Sequence, residues 1–287
     1  MTSGAREADN GRVLAVLVLY GRALEEATSW PAILTLLGGS GALSLVHVLI
    51  YDNSSESRVD VSALPPQVEV YWTGQNRGTA GAYVQAIECA QAQDCDWLLL
   101  LDQDTHVPAG YLQKAEQAVG IEGRSDVLVP RIRHGDTLVS PATITSVGSV
   151  RPTENPDRSA GIPTAISSGL LVKRKAIEAA LPFPDALWLD YVDHWMFLSF
   201  ERQRKQLSVI DIDLQHDLSV RTPRELSAAR LESILVAEGI FYRQIPRRAQ
   251  RLLAFRRGMR AGKFLIAGRP DLAWITALHM LGLKHRS

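Results

Sequence analysis

Trp97-Leu98-Leu99-Leu100-Leu101-Asp102-Gln103-Asp104-Thr105 is the stretch on which the fold turns. Five apolar residues end abruptly in two carboxylates separated by one residue. The run has the length of a strand buried on both faces, as strands of parallel sheets are. In an extended chain Asp102 and Asp104 point to the same side, roughly 6.6 Å apart at about 3.3 Å per residue. Like charges placed this way repel unless a cation lies nearby. A hard divalent ion with oxygen ligands, its shell often completed by phosphate, is the usual solution. The same two residues also suit a turn or a helix cap. On these residues alone, both readings stand.

Upstream, Val13 to Tyr20 and Leu45 to Tyr51 read as further buried strands, and Val68 to Trp72 as a short one. Between them a helical pattern puts Trp30, Ile33, Leu34 and Leu37 on one face and ends at Gly38-Gly39. Gly78 to Gln93 reads as a helix. Strands alternating with helices predict an α/β fold with a mostly parallel, Rossmann-like sheet flanked by helices. Ligands of such sheets bind beyond the carboxyl ends of the strands. Tyr20, Asp52 and the Asp102/Asp104 pair all fall at such ends, which favours the site reading of the pair.

Downstream, Val127 to Pro130, Leu170 to Val172 and Val209 to Leu214 read as strands, the last leading to His216. Lys173 to Leu181 reads as a short helix, and the Arg-, Pro-, Asn- and Asp-rich residues 151–164 as a loop. Leu189-Asp190-Tyr191-Val192-Asp193-His194-Trp195 opens another helix. Residues 224–245 look helical. From Pro246 to Ser287 there are ten Lys or Arg and one acid, Asp271, with apolar residues interleaved. That composition suits docking on an anionic membrane, contact with a substrate phosphate, or a solvated helix face.

The 287 residues carry 31 basic and 31 acidic side chains, so no global basic field points to nucleic acid. Cys89 and Cys95 match no zinc or redox spacing, and so low a cysteine count suggests a reducing compartment. Met1 to Asn10 is polar and reads as no signal peptide, and no apolar run approaches the roughly 20 residues of a membrane span. The expectation is a cytoplasmic protein, peripheral at most on the inner face of the cell membrane.

Four landmarks stand in order: Tyr51-Asp52-Asn53-Ser54-Ser55, Asn76-Arg77-Gly78-Thr79-Ala80-Gly81-Ala82, Leu101-Asp102-Gln103-Asp104 and Asp190-Tyr191-Val192-Asp193. Together they resemble the family 2 glycosyltransferases of GT-A fold, and within them a rhamnosyltransferase-like subgroup that builds O-antigens and other surface polysaccharides. The resemblance covers about residues 13–217. It implies a catalytic domain over 1–220, with a nucleotide-sugar half (about 11–105) and an acceptor half (about 106–220). A C-terminal basic helical extension follows over 221–287.

The resemblance also assigns roles. Asp52 would accept a hydrogen bond from a pyrimidine N–H, with Tyr20, Asn53 and Gln103 beside it. Asn76, Arg77 and Gly78 would sit against the diphosphate, where a helix start offers N–H groups and a positive dipole end. Asp102 and Asp104 would hold Mg²⁺ or Mn²⁺, Asp104 more directly, with His216 as a third ligand. Asp193 would be the base that deprotonates the acceptor, and Asp190 its competitor or an N-cap. Ser167-Ser168-Gly169 would form the turn beneath the sugars, so Ser168 and Gly169 join the substrate-binding set. Trp188 and Trp195 would stack on sugar faces, with aromatic core packing the alternative favoured for at least one of them. His194-Trp195-Met196 and Ser199 depart from the family pattern, which bears on acceptor identity. The implied reaction is inverting transfer from dTDP-rhamnose or a UDP-sugar to a glycan or lipid-linked acceptor.

Two other classes remain open at this stage. A sugar nucleotidyltransferase shares such a sheet, but Tyr20-Gly21-Arg22-Ala23-Leu24 is poor in the Gly and Lys of its phosphate loop. A non-catalytic glycan- or membrane-binding module leaves both carboxylate pairs without a role.

Overall fold

The computed structural model describes residues 11–122, 125–216 and 226–283. Strands β1 (Arg12–Leu19), β2 (Ser44–Asp52), β3 (Val68–Trp72) and β4 (Trp97–Asp102) form a parallel block. Helices α1 (Trp30–Leu36) and α2 (Gly78–Ala92) cross over within it. β1 and β4 are buried on both faces, and alternation divides their side chains between two layers. Leu14, Val16, Leu98 and Leu100 pack under α2. Val13, Leu17, Leu99 and Leu101 pack under α1 and α3 (Tyr111–Glu122) on the other side. On α1 the buried residues are Trp30, Ile33 and Leu36, whereas Leu34 is exposed. Leu37, at the C-cap, packs against the same core, so the inward face differs from the expected one only in Leu36 replacing Leu34.

The two-residue strand β5 (Thr105–His106) follows the carboxylate turn, and β6 (Val127–His134) and β7 (Thr137–Ser140) form a hairpin. β8 (Ala142–Ile144), β9 (Val150–Pro152) and β10 (Ile162–Thr164) make a small separate sheet, so the expected loop over 151–164 is strand at both ends. β11 (Leu170–Lys173) then enters the main sheet antiparallel to both β4 and β6. α4 (Arg174–Glu178), α5 (Val192–Arg202) and β12 (Leu207–His216) complete the domain, β12 running parallel to β6 and capped by β5. The order is β3-β2-β1-β4-β11-β6-β12-β5, with β7 off β6. The sheet is thus parallel on the β1 side and mixed on the other.

Gly169 makes the reversal into β11 possible. Its φ is +80°, and a Cβ there would overlap Leu214.

Helices α6 (Ala228–Tyr242), α7 (Arg247–Ile266) and α8 (Pro270–Met280) form the C-terminal part. Phe241, Tyr242, Ile245, Ala249 and Leu253 pack against Ile144 and Leu198 of the domain. Buried Glu238 accepts from Arg257 at 2.9 Å and Arg260 at 2.8 Å. Arg256 caps the carbonyls of Val147 and Gly148, and Arg269 pairs with Asp271. Three of the ten expected surface cations, Arg256, Arg257 and Arg260, are therefore engaged by partners within the fold, and Arg269 is paired at the surface. Arg247, Arg248, Arg251 and Lys263 are exposed, while Lys284 and Arg286 lie outside the described residues. No helix among the described residues is long and apolar enough to cross a membrane.

Candidate functional site

The carboxyl ends of β1, β2 and β4 open onto a cleft of about 320 Å³. It is bordered by Tyr20, Asn53, Asn76, Gly78, Asp102, Gln103 and Asp104 from the expected set, and by Val18, Thr79, Trp188, Leu189 and Arg230. β4 ends at Asp102 itself, and Gln103 and Asp104 form a turn before β5. The two carboxylates thus reach the same cleft through a turn, not as alternate residues of one strand. Gln103 holds that turn: its Oε1 accepts from the Tyr20 N–H at 2.9 Å, and its Nε2 donates to the Tyr20 carbonyl at 3.3 Å. Beneath it, Ser168 Oγ accepts from the Asp102 N–H at 3.3 Å and bonds Thr105 Oγ1. The Gly169 N–H donates to the Leu100 carbonyl at 2.7 Å. Ser168 and Gly169 are buried and form the floor under the carboxylates, and neither borders the cleft.

At the end of β2, Asp52 is buried. Its Oδ1 accepts from the Ser54 N–H at 2.9 Å, a turn-capping bond. Its Oδ2 is buried with no hydrogen-bond partner. An unpaired buried acceptor is costly, and an N–H donor would relieve it. Asn53 staples this end to α2, accepting from the Arg77 N–H at 2.8 Å and donating to the Gly78 carbonyl at 3.3 Å. Two of the first amides of α2 are already engaged. The Gly78 N–H donates to Asn76 Oδ1 at 2.9 Å, and the Ala80 N–H to the Trp188 carbonyl at 3.1 Å. Gly78, at φ +62°, lets the chain approach Trp188 so closely that a Cβ would overlap that carbonyl. The α2 N-terminus therefore offers fewer N–H groups to a phosphate than its sequence suggests.

Arg77 is exposed and does not border the cleft. The guanidinium that does is Arg230, from α6, which forms a two-pronged ion pair with Asp190 (Nη2 to Oδ1 2.6 Å). Asp190 precedes α5 and does not cap it. The cap position is Tyr191, in the left-handed region at φ +64°, with no side-chain capping bond. Asp190 and Asp193 consequently do not lie on one helical face.

Asp193 borders a second cavity, of about 180 Å³, with Ser140, Thr164, Ala165, Tyr191 and His194. Burial raises its carboxyl from the ordinary 3.8 to about 6; hydrogen bonds from Ser167 oppose the rise, and the charges of Asp102 and Asp190 add to it. The Tyr83 hydroxyl donates to Ser167 Oγ at 2.6 Å, extending this chain into the core. His194 shares a 2.8 Å bond with Thr164 through Nδ1, and burial lowers its imidazole to about 4, so it is neutral near pH 7. Trp195 donates from Nε1 to the Ala180 carbonyl at 3.1 Å and borders neither cavity. The His216 backbone pairs with Thr105, beside Asp104; its side chain, like Asp217, lies outside the described residues.

Reading the sequence missed Arg230 and Tyr83. Arg230 lies in a region read only as helical, and Tyr83 is hidden in the apolar stripe of α2. Neither carries a motif signal.

The glycosyl transferase family 2 model matches residues 25–181, more than half of the chain. The chain belongs to that family and is a glycosyltransferase, which sets aside the nucleotidyltransferase and non-catalytic readings. Its fold is similar to that of Staphylococcus aureus TarS 1–349 solved with UDP (TM-score 0.52, 13% identity, covering 96% of this chain and 93% of that one). It is likewise similar to TarS itself (TM-score 0.50, 13% identity, covering 93% and 55%). No curated protein matches in sequence.

Proposed function

We propose that the chain is an inverting, metal-dependent transferase. It moves a sugar, rhamnose first among candidates, from a nucleoside diphosphate to a glycan or lipid-linked acceptor in surface-polysaccharide synthesis. The observation that carries this reading is the pairing of two sites. A cleft with two carboxylates and an arginine lies beside a buried carboxylate raised to about 6 that feels the Asp102 charge. The UDP bound to TarS, a protein of similar fold, supports a nucleoside diphosphate in the cleft.

The all-oxygen donor set of Asp102 and Asp104 fits Mg²⁺ or Mn²⁺. Bound there with the diphosphate, the ion would supply charge neutralisation for the departing phosphates. The protein does the rest. Asn53 and Tyr20 border the cleft and would face the base and ribose; Asp52 does not border it, and its buried, unpartnered Oδ2 would have to be uncovered to accept from a pyrimidine N–H. Arg230 pairs with diphosphate oxygens, bidentate recognition being a property of guanidinium. Asp193 takes the proton of the acceptor hydroxyl as that oxygen attacks the anomeric carbon from the face opposite the leaving group. With its carboxyl near 6, Asp193 is mostly ionised at pH 7 yet close enough to that pH to be an effective base.

A thermal-shift comparison tests the donor reading. At about 100 times the dissociation constant, mass action adds about 2.7 kcal/mol, roughly 5–10 °C for a chain of this size. UDP or dTDP with Mn²⁺ should give that shift, the nucleoside alone much less, and Arg230→Gln should reduce it. Equal shifts from nucleoside and diphosphate would overturn the placement of the phosphates.

Contact with an anionic membrane belongs to the same proposal. The outward line of α7 reads Arg248, Arg251, Phe255, Met259, Ile266, spaced for one helix face. Phe255 is 64%, Ile266 90% and, on α8, Trp274 67% exposed. Cations beside apolar side chains suit an interfacial helix. In vesicle flotation the chain should bind phosphatidylglycerol and not phosphatidylcholine, and Phe255→Ser with Ile266→Ser should release it. Binding that the double variant leaves unchanged would rule this face out.

A further inference from the structure

His47 on β2, Glu69 on β3 and Cys89 on α2 converge on one point at the far end of α2 from the cleft. Parallel pairing sets Glu69 opposite Leu49, two residues beyond His47, so His47 and Glu69 share a sheet face. Cys89 meets them from the helix packed on that face. The imidazole Nε2 lies 3.6 Å from Glu69 Oε2, and the Cys89 sulfur 3.6 Å from the same oxygen. All three ligand atoms lie within 4.8 Å of one another. Nε2 is buried and has no hydrogen-bond partner. The His47 side chain is 13% exposed and that of Glu69 52%, so the cluster is walled on one side and open to solvent on the other.

We infer that His47, Glu69 and Cys89 form a binding site for a borderline-soft divalent cation of the Zn²⁺ class, separate from the catalytic carboxylates. One nitrogen, one oxygen and one sulfur are the donors zinc takes, and a tetrahedral ion would keep its fourth position for water through the open Glu69 side. With the usual bond lengths of about 2.0–2.1 Å to nitrogen and oxygen and 2.3 Å to sulfur, tetrahedral ligands stand roughly 3.4–3.6 Å apart. The two spacings of 3.6 Å to Glu69 meet that requirement, and the third, from Nε2 to the sulfur, lies within 4.8 Å and would close on binding. The ion would also satisfy the unpartnered imidazole nitrogen.

Burial, with Glu69 nearby, pushes the Cys89 thiol up to about 12, so without metal it holds its proton. Binding must release that proton, and affinity should rise with pH. Eleven residues of helix separate Gly78 from Cys89, about 16 Å along the axis. The site is therefore not the one that would hold the diphosphate-bound ion.

The test uses the full chain carrying Asp102→Asn and Asp104→Asn, which removes the competing carboxylates. Calorimetric titration with Zn²⁺ should give one site per chain, and Co²⁺ should give a thiolate-to-metal charge-transfer band. Cys89→Ser should abolish the band while leaving Cys95 in place. His47→Gln and Glu69→Gln should each weaken binding at least as much as loss of an outer-shell partner does, about 10–100-fold. Absence of zinc binding, a Co²⁺ spectrum without the band, or binding unchanged in all three variants would overturn the assignment. Far-UV circular dichroism confirms that each variant is folded.

Discussion

Asp193→Asn should lower kcat by about 10²–10⁴-fold, the range for loss of a positioned general base. An amide cannot accept the proton of the acceptor hydroxyl, while its one carbonyl oxygen can still accept from Ser167. For the native chain, transfer should fall as pH drops through about 6, where Asp193 becomes protonated. Stability runs the other way. A carboxyl raised from 3.8 to about 6 holds its proton more tightly folded than unfolded. The stability it lends is full at low pH and is lost as pH rises through about 6. The variant has no such loss, so its melting temperature relative to the native chain should be higher at pH 7.5 than at pH 4. Transfer rates with saturating donor, and calorimetry at the two pH values, check both parts. Near-normal turnover of the variant would remove Asp193 from the role of base.

Asp104→Asn should cost about 10³-fold in transfer, because a bound metal supplies several kcal/mol of charge stabilisation to a departing diphosphate and each 1.4 kcal/mol is tenfold. Asp104 lies in a half-buried turn that Gln103 braces, so the variant should fold and melt close to the native chain. Asp102→Asn should cost less, since the Asp102 N–H remains tied to Ser168 and Asp104 still faces the cleft. Turnover titrated with Mn²⁺ separates the two. If Asp104→Asn kept near-normal turnover with metal present, the carboxylate pair would be no metal site.

The strand ends were readable because buried parallel strands announce themselves as unbroken apolar runs, and because carboxylates ending several such runs converge on one edge of the sheet. The parallel block and the cleft residues Tyr20, Asp102 and Asp104 followed from that pattern, whereas Asn53 and Asn76 came from the family resemblance. β11 was readable as a strand, but its direction was not: it depends on Gly169 at positive φ, a backbone property with no periodicity. The face of α1 was misassigned because Leu34 and Leu36 are equally apolar, and only packing on β1 and β2 selects between them. The basic C-terminal segment was overread in one respect. A cation count cannot tell Arg257, buried on Glu238, from Arg251, exposed to solvent. Arg77 and Arg230 show the same limit: the motif pointed to the first, and tertiary structure brings the second to the cleft.

The Arg230–Asp190 bridge links the cleft electrostatically to Asp193. Its guanidinium faces the cleft, and its carboxylate partner lies three residues before Asp193, whose proton affinity already responds to the Asp190 charge. An anion arriving in the cleft would draw the guanidinium partly away and leave that charge less compensated. Asp193 would then hold a proton more tightly with donor in place than without it. A cation bound at Asp102 would act in the opposite sense, so the loaded cleft would reach Asp193 through two opposed effects, at Asp190 and at Asp102.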